Sequence, residues 1–270
     1  MAEHKRWQIH GHLAAQADTR LEIVRRAPQQ IILAGADGDH SRRLLAARYP
    51  QAALSEYDPR PDALAEAAAL RDGGFWQRLR GKSVPQQCQS PETPLPEATA
   101  DMLWSNLNLP LADDLERTVQ NWARALKPDG LLFFSHWGVD TLADVKGRLK
   151  NLGIACRTPL WLDMHDLGDM LFHNGFYDPV MDTAKLELHY RRADTFWQDC
   201  ATLGLTHGLR FEHAAAEEAA RAAIEKIFTE EGSLNITLET VFGHAVKRPS
   251  EKMPHAEKAN ESVIQFYPRT

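Results

Sequence analysis

Short apolar runs alternate with helix-like segments along the chain, beginning with a strand, a turn and a helix. Residues 30–34 are apolar over the length of one strand, and residues 41–48 then carry apolar positions at helical spacing. A second strand is predicted at 52–56, and Asp58 as N-cap and Pro59 in the first turn mark the helix that follows it. Strands that alternate with helices pair in parallel, so the pattern predicts an α/β fold around a parallel sheet.

The alternation continues to residue 246. Further strands are predicted at 100–104, 131–135, 185–190 and 234–246, and further helices at 113–126, 142–149, 166–174 and 214–228. The proline-rich stretch 81–100 predicts a loop with at most one short strand, and Lys127 to Gly130 predicts a sharp turn. Residues 1–29 predict a helical segment, and the polar tail 248–270 is expected to be disordered.

Composition then excludes several classes of partner. With 31 basic and 37 acidic side chains the net charge is −6, which lacks the basic excess of a nucleic-acid-binding protein. No stretch approaches the ~20 apolar residues of a membrane span, and the first residues show no secretory signal. The three cysteines lie far apart, which excludes a disulfide framework and suits the cytoplasm. His10 and His12 have no further ligand at metal spacing, so no metal site is predicted.

The turn after the first strand is the first candidate site. A glycine turn that leads from a strand into a helix presents backbone N–H groups to a nucleotide-like ligand, and an acid about 20 residues further on accepts bonds from ribose hydroxyls. Gly35 and Glu56 stand in this relation. An ordinary Asp/Gly turn explains Gly35 to Gly38 equally well, so both interpretations stay open at this point.

The chain resembles the class I S-adenosylmethionine-dependent methyltransferases, and among them the biotin-pathway malonyl-acyl-carrier-protein O-methyltransferases. The segments that carry the resemblance are 101–107, 126–130, 140–142, 163–171, 175–182 and 241–247. The resemblance implies a Rossmann-like fold with a seven-stranded, mostly parallel sheet that ends in an antiparallel hairpin. It also implies a methyltransferase domain over 30–247, in which residues 142–175 add helices over the cleft.

The resemblance also implies cofactor-binding residues. Against the family's Gly-x-Gly-x-Gly the chain keeps Gly35, but Asp37 and Asp39 replace the second and third glycines. A carboxylate there fills space and adds negative charge beside the methionine carboxylate of S-adenosylmethionine. Glu56 matches the ribose-binding acid. Tyr57 is expected near the adenine, and Gln89 replaces the acid that contacts its amino group.

Three further residues are candidates at the carboxyl edge of the sheet, where open α/β sheets bind ligands. Asn106, together with Ser105, is expected on the floor of the cleft beside the cofactor; the alternative for Asn106 is a role in a turn. His136 is a candidate for substrate binding, and the alternative is that it is only structural. Lys146 occupies the place of a family arginine that would pair a substrate carboxylate, against a solvated helix lysine, which is slightly favoured.

Two functions from different classes follow. The first is S-adenosylmethionine-dependent methylation of the free carboxylate of a malonyl thioester, with acyl carrier protein or an acyl thioester as partner. No residue is assigned as a certain catalytic group, because such a carboxylate is already ionised at neutral pH. The alternative is a methyltransferase fold that has lost its cofactor and acts as a binding or assembly protein, which Asp37, Asp39 and Gln89 suggest. A hydroxylase related to a mitochondrial assembly factor has less support.

Overall fold

The protein is built around one mixed β-sheet, seen here in a computed structural model that describes residues 6–71, 84–156 and 161–249. Its strands are β1 (Gln30–Ala34), β2 (Ala53–Asp58), β3 (Gln86–Cys88), β4 (Ala100–Asn106), β5 (Leu126–Trp137), β6 (Phe176–Tyr190) and β7 (Leu234–Lys247). The seven strands run in the order β3-β2-β1-β4-β5-β7-β6. The first five pair in parallel, and β7 lies antiparallel between β5 and β6. The predicted fold class is therefore confirmed.

Helices cover both faces of the sheet. They are α1 (Gln8–Thr19), α2 (His40–Arg48), α3 (Pro61–Arg71), α4 (Leu115–Ala125), α5 (Ala143–Asn151), α6 (Met164–His173), α7 (Ala193–Thr202) and α8 (Ala214–Glu231). Apolar residues of α1, α2, α5, α7 and α8 share one buried cluster with Trp104 and Phe133 of the sheet. Residues of α4 and α6 share a second cluster with Leu103 and Phe134. Neighbouring strand residues alternate between the clusters, as strand geometry requires.

The helix after β2 begins later than predicted, and its predicted cap is wrong. It starts at Pro61, whose fixed φ suits the first helical position. Asp58 is instead the last residue of β2 and is fully buried. Its carboxylate accepts hydrogen bonds from the backbone N–H groups of Ala36 and Arg60 and does not cap a helix.

Elsewhere the sequence predicted which elements are present more accurately than where they begin and end. The predicted turn from Lys127 to Gly130 lies inside β5, where pairing jumps from Ala100–Leu126 to Met102–Leu131 and Asp129 takes a φ of 61°. The strand predicted at 185–190 is the end of the 15-residue β6. Helix α7 was not predicted, and the region from residue 84 to 100 holds one short strand, as expected.

The sequence also predicted that the chain has no membrane span and that its C-terminal tail is disordered. No helix in the three described ranges is long and apolar enough to cross a membrane. The tail predicted to be disordered lies outside the described residues, apart from its first two positions.

Candidate active site

The turn between β1 and α2 brings the chain close to the end of β4. Gly35 has a φ of 105°, and its N–H donates to the carbonyl of Tyr57 at 2.8 Å. A Cβ atom at Gly35 would lie 3.0 Å from the carbonyl oxygen of Asn106. Glycine is therefore required here for both its backbone conformation and the close approach.

Asp37, which stands in place of the second glycine, points inward. Its carboxylate is almost fully buried and accepts bonds from the Ser41 backbone N–H, the Ser41 hydroxyl at 2.6 Å and the Asn106 side-chain amide at 2.8 Å. Burial raises the pKa of Asp37, and these hydrogen bonds oppose the rise. The first turn of α2 favours an anion, and the protein's own carboxylate binds there.

Asp39, in place of the third glycine, adopts the left-handed conformation with a φ of 69°. Its carboxylate accepts from Arg42 on α2 and from the Nε of Arg71 at 2.6 Å. Arg71 also donates through Nη2 to Glu56 at 2.7 Å. The partly buried Arg71 thus links two buried carboxylates and joins the glycine turn to β2.

Glu56 lies on β2, two residues before the end of the strand. Besides Arg71, its Oε2 accepts from the Gln86 side chain at 2.6 Å. Burial raises the pKa of Glu56, while Gln86 and Arg71 oppose the rise. Because β2 continues to Asp58, the acid at the carboxyl end of this strand is Asp58 and not Glu56. The sequence prediction chose Glu56 because it ended the strand two residues early.

Arg60 forms a two-pronged ion pair with Asp58. Its Nε lies 2.9 Å from Oδ1 and its Nη2 lies 2.8 Å from Oδ2. The same guanidinium donates to the carbonyls of Ala36 and Thr202. Sequence reasoning missed Arg60, although its position two residues after a strand-ending acid was a usable signal.

The segment from Arg6 to His10, called here the N-terminal strap, covers the turn. A Cβ atom on Gly38 would lie 2.5 Å from the Trp7 ring, so the indole rests directly on that glycine. Trp7 is buried with Ala36 and with apolar residues of α3. The carbonyl of His10 accepts from the Asn106 side chain at 3.0 Å. Trp7 was not singled out in the sequence, because nothing local links it to residue 38.

A small pocket remains on the other side of the turn. It is a shallow depression of about 10 Å³, the room that one water molecule needs, between β1, β2 and the loop after β3; its lining is Ala34, Tyr57, Gln89, Ser90, Pro91, Leu95, Asn108 and Trp122. Tyr57 and Gln89, both predicted to lie near adenine, are thus brought together. The lining combines apolar and aromatic side chains with amide groups, which is the chemistry that binds a heteroaromatic ring, but the depression is too small to hold one in this conformation.

The end of β4 forms a buried polar junction. The Asn106 side chain donates to Asp37 and accepts from the Ser135 hydroxyl at 3.0 Å. Ser135 also accepts from the backbone N–H of Leu107. Ser105 points to the opposite face of the sheet, where its buried hydroxyl has no hydrogen-bond partner among the described residues.

His136 and Lys146, the two substrate-binding candidates, lie on opposite faces of the sheet. His136 is fully buried beside residues of the α4 and α6 cluster, and neither ring nitrogen has a partner within the described part of the chain. Burial lowers its pKa to about 3, so the ring is neutral. Lys146 is half-buried on α5, with its Nζ 5.4 Å from the centre of the Trp161 ring. The structure does not bring these two residues together.

These residues fit one half of S-adenosylmethionine better than the other. The side chains around Tyr57 and Gln89 have the chemistry that binds an adenine ring, although the space between them would have to widen to hold it. Where the ribose and methionine would follow, the strap, Asp37 and the guanidinium groups of Arg60 and Arg71 fill the space and bind the acids. The second half therefore does not fit the cofactor with these side chains in place.

Comparison with known proteins first defines the class. A family model described as "Methyltransferase domain" matches residues 34–134. Among solved structures, the YcgJ protein of Bacillus subtilis superposes with a TM-score of 0.56 at 16% identity, covering 88% of this chain and 98% of that one. The Haemonchus contortus phosphoethanolamine N-methyltransferase 2, solved with S-adenosylhomocysteine, gives 0.53 at 14% identity, covering 88% and 52%. The fold is that of a class I methyltransferase.

Curated relatives define the family more narrowly. A malonyl-[acyl-carrier protein] O-methyltransferase of Laribacter hongkongensis is 32% identical over 262 residues, covering 93% of this chain and 86% of its own. The enzyme of the same name from a Methylovorus species is 32% identical and covers 93% and 85%. The chain belongs to the malonyl-[acyl-carrier protein] O-methyltransferase family.

Proposed function

We propose that this protein transfers the methyl group of S-adenosylmethionine to the free carboxylate of a malonyl thioester carried by an acyl carrier protein. The supporting observation is the similarity to relatives of that name over 93% of this chain. We expect the reaction in the cytoplasm, as a step of biotin synthesis. The apolar, aromatic and amide side chains that meet around Tyr57 and Gln89 add support for an adenine-containing ligand.

This methyl transfer needs no strong acid or base in the protein. A malonyl carboxylate is ionised at neutral pH, so it needs no general base to become a nucleophile. The protein has to hold the attacking oxygen in line with the methyl donor and keep water away. The lack of an assigned catalytic acid or base is consistent with that requirement.

We propose that Ser105 and His136 bind the acceptor, with α6 as part of the cover that residues 142–175 were predicted to form. Both side chains lie on the sheet face that α4 and α6 cover, and both are buried without hydrogen-bond partners in the described ranges. A neutral His136 donates one N–H and accepts at the other nitrogen, so it orients a carboxylate without adding charge. Lys146 faces the other side and is left out of this assignment.

The test is methyl transfer from radiolabelled S-adenosylmethionine. We expect the purified protein to convert malonyl-acyl carrier protein to its methyl ester and to leave acetyl-acyl carrier protein unmodified. The acetyl thioester is the matched control because it lacks only the free carboxylate. Malonyl-coenzyme A, assayed in parallel, shows whether the carrier protein contributes to recognition.

Two outcomes decide the proposal. Label in the malonyl ester alone supports it. No transfer from a folded protein contradicts it, and if that protein also fails to bind S-adenosylhomocysteine in calorimetry, the result favours the alternative of a methyltransferase fold that has lost its cofactor.

A further inference from the structure

The acids around the glycine turn are bound by the protein's own guanidinium groups. Asp58 is fully buried, and each of its oxygens already accepts two bonds: Oδ1 from the Arg60 N–H and Nε, and Oδ2 from the Ala36 N–H and the Arg60 Nη2. A carboxylate offers about four acceptor positions, so Asp58 has none left for another donor.

Asp58 lies directly beside the glycine turn. It ends β2, next to β1 and its glycine turn, and its carboxylate binds the N–H of Ala36 within that turn. An acid in this relation to such a turn accepts ribose hydroxyls in nucleotide-binding α/β folds. In this protein a two-pronged arginine occupies those acceptor positions.

A second, independent contact closes the same region. The Arg60 guanidinium lies 5.5 Å from the centre of the Trp7 ring, and Trp7 rests on Gly38. Arg6 stacks on Trp7 as well, at 4.7 Å, and is tied to Asp62 and to Glu66 of α3. Arg60 therefore holds Asp58 with its polar edge and supports the strap with its flat face.

We propose that Arg60 is an internal competitor of the cofactor's ribose, so that a nucleoside ligand binds only after the Arg60 guanidinium leaves Asp58 and the N-terminal strap lifts from Gly38. The inference rests on the proposed function for the identity of the ligand. It deepens that function by adding an opening step, in which part of the free energy of ligand binding is used to displace Arg60 and the strap.

Calorimetric titration with S-adenosylhomocysteine tests the competition directly. Arg60→Ala removes the competitor, and we expect it to bind at least about tenfold more tightly than the wild type. Arg60→Lys keeps the charge but loses the fork, and should fall between the two. The control is Arg48→Ala, because Arg48 makes a fork of the same geometry on Asp18, with distances of 2.9 and 2.7 Å, on α2 and α1. Its affinity should equal that of the wild type.

Arg60→Ala leaves a buried carboxylate unpaired and risks a folding defect. Trp7→Ala therefore serves as a second variant, since it loosens the strap without touching Asp58, and it should also bind more tightly. Hydrogen exchange gives a further readout: the N–H groups of residues 11–14 donate to carbonyls of residues 7–10 at the start of α1, so S-adenosylhomocysteine should speed their exchange in the wild type as the strap lifts.

The outcomes separate the two proposals. Three results overturn the competition: equal or weaker binding by Arg60→Ala and Trp7→Ala, slower exchange at residues 11–14 on ligand binding, or no binding by any variant. Tight binding by the variants without methyl transfer to the malonyl thioester contradicts the proposed function and leaves the competition standing.

Discussion

At the scale of single residues, the altered glycine turn is stable because each substituted carboxylate has specific donors. Asp39 tolerates a positive φ better than most residues, and two arginines bind its carboxylate. Asp37 is bound by Ser41 and Asn106. Asp37 points inward because the amide that binds it belongs to Asn106, which is 69 residues away in the chain.

The buried histidine on β5 predicts sensitivity to acid. The folded pKa of His136 is lowered to about 3 by burial, against about 6.5 in the unfolded chain. Its contribution to stability is therefore complete above the unfolded pKa and is lost as the pH falls from there towards the folded value. Between pH 7.5 and 5.5 the loss is about 1.4 kcal/mol. Urea unfolding at both pH values measures this loss. In His136→Leu the free energy of unfolding should fall between pH 7.5 and 5.5 by that much less than it does in the wild type.

The control for this measurement is His12→Gln, because His12 is exposed on α1. It should lose as much stability as the wild type on the same change of pH. An unchanged acid sensitivity in His136→Leu would show that other groups, such as the buried His10, account for the effect. Burial also lowers the pKa of His10 well below its ordinary value.

At the scale of elements, α1 is part of the main core. Leu13 of α1 packs in the same cluster as sheet residues, and so does Leu21 in the 3-10 turn that follows α1. Arg20, the C-cap of α1, joins it to Asp182 of β6 by a two-pronged pair. The Arg20 guanidinium also lies over the Phe242 ring of β7 at 4.1 Å. The first helix thus contacts strands formed by the last third of the described chain.

Truncating a side chain on α1 should therefore cost as much as truncating one in the sheet. Leu13 is 1% exposed, and we expect Leu13→Ala to lower the free energy of unfolding by about 2–5 kcal/mol. The matched control is Leu70→Ala on α3, because Leu70 is 59% exposed and should change stability by less than about 0.5 kcal/mol. Chemical denaturation measures both, and similar losses in the two variants would refute an integral α1.

The hydrophobic pattern of the sequence predicted most helices and strands, but it did not predict where they end or which distant residues they contact. The apolar run of β1 was located to the residue, since it is buried and bounded by turn residues. The first half of β6 was missed because its residues alternate between exposed and half-buried and include Pro179. Around the glycine turn, the family resemblance pointed to Tyr57, Gln89 and Asn106, which stay predicted site residues, whereas Arg60, Arg71 and Trp7, which the structure places there, were missed. Their roles depend on contacts that spacing does not encode.

At the scale of the whole molecule, stability is graded across the sheet. The central strands β1 and β4 are buried along nearly their whole length and have a partner on each side. The edge strand β3 has three residues, of which two are exposed. The closed region of the site adjoins this weaker edge, through Gln86 and its bond to Glu56.

Hydrogen exchange should follow this gradient. We expect amides of residues 102–105 in β4 to exchange most slowly, because they open only on global unfolding. Amides of residues 86–88 should exchange faster by several orders of magnitude, since local opening of an exposed edge suffices. Mass spectrometry of peptic fragments makes the comparison, and equal protection of the two segments would be evidence against a graded sheet.

The position of β7 has a consequence for how the protein is made. This strand is the last of the sheet in the sequence, yet it lies between β5 and β6 and pairs with both. A nascent chain that has emerged from the ribosome only as far as β6 therefore exposes the unpaired edge of β5 and a β6 strand with no neighbour. Open edges of this kind recruit other chains. A product that stops before residue 234 should consequently be a target for chaperones and proteases rather than a smaller folded protein.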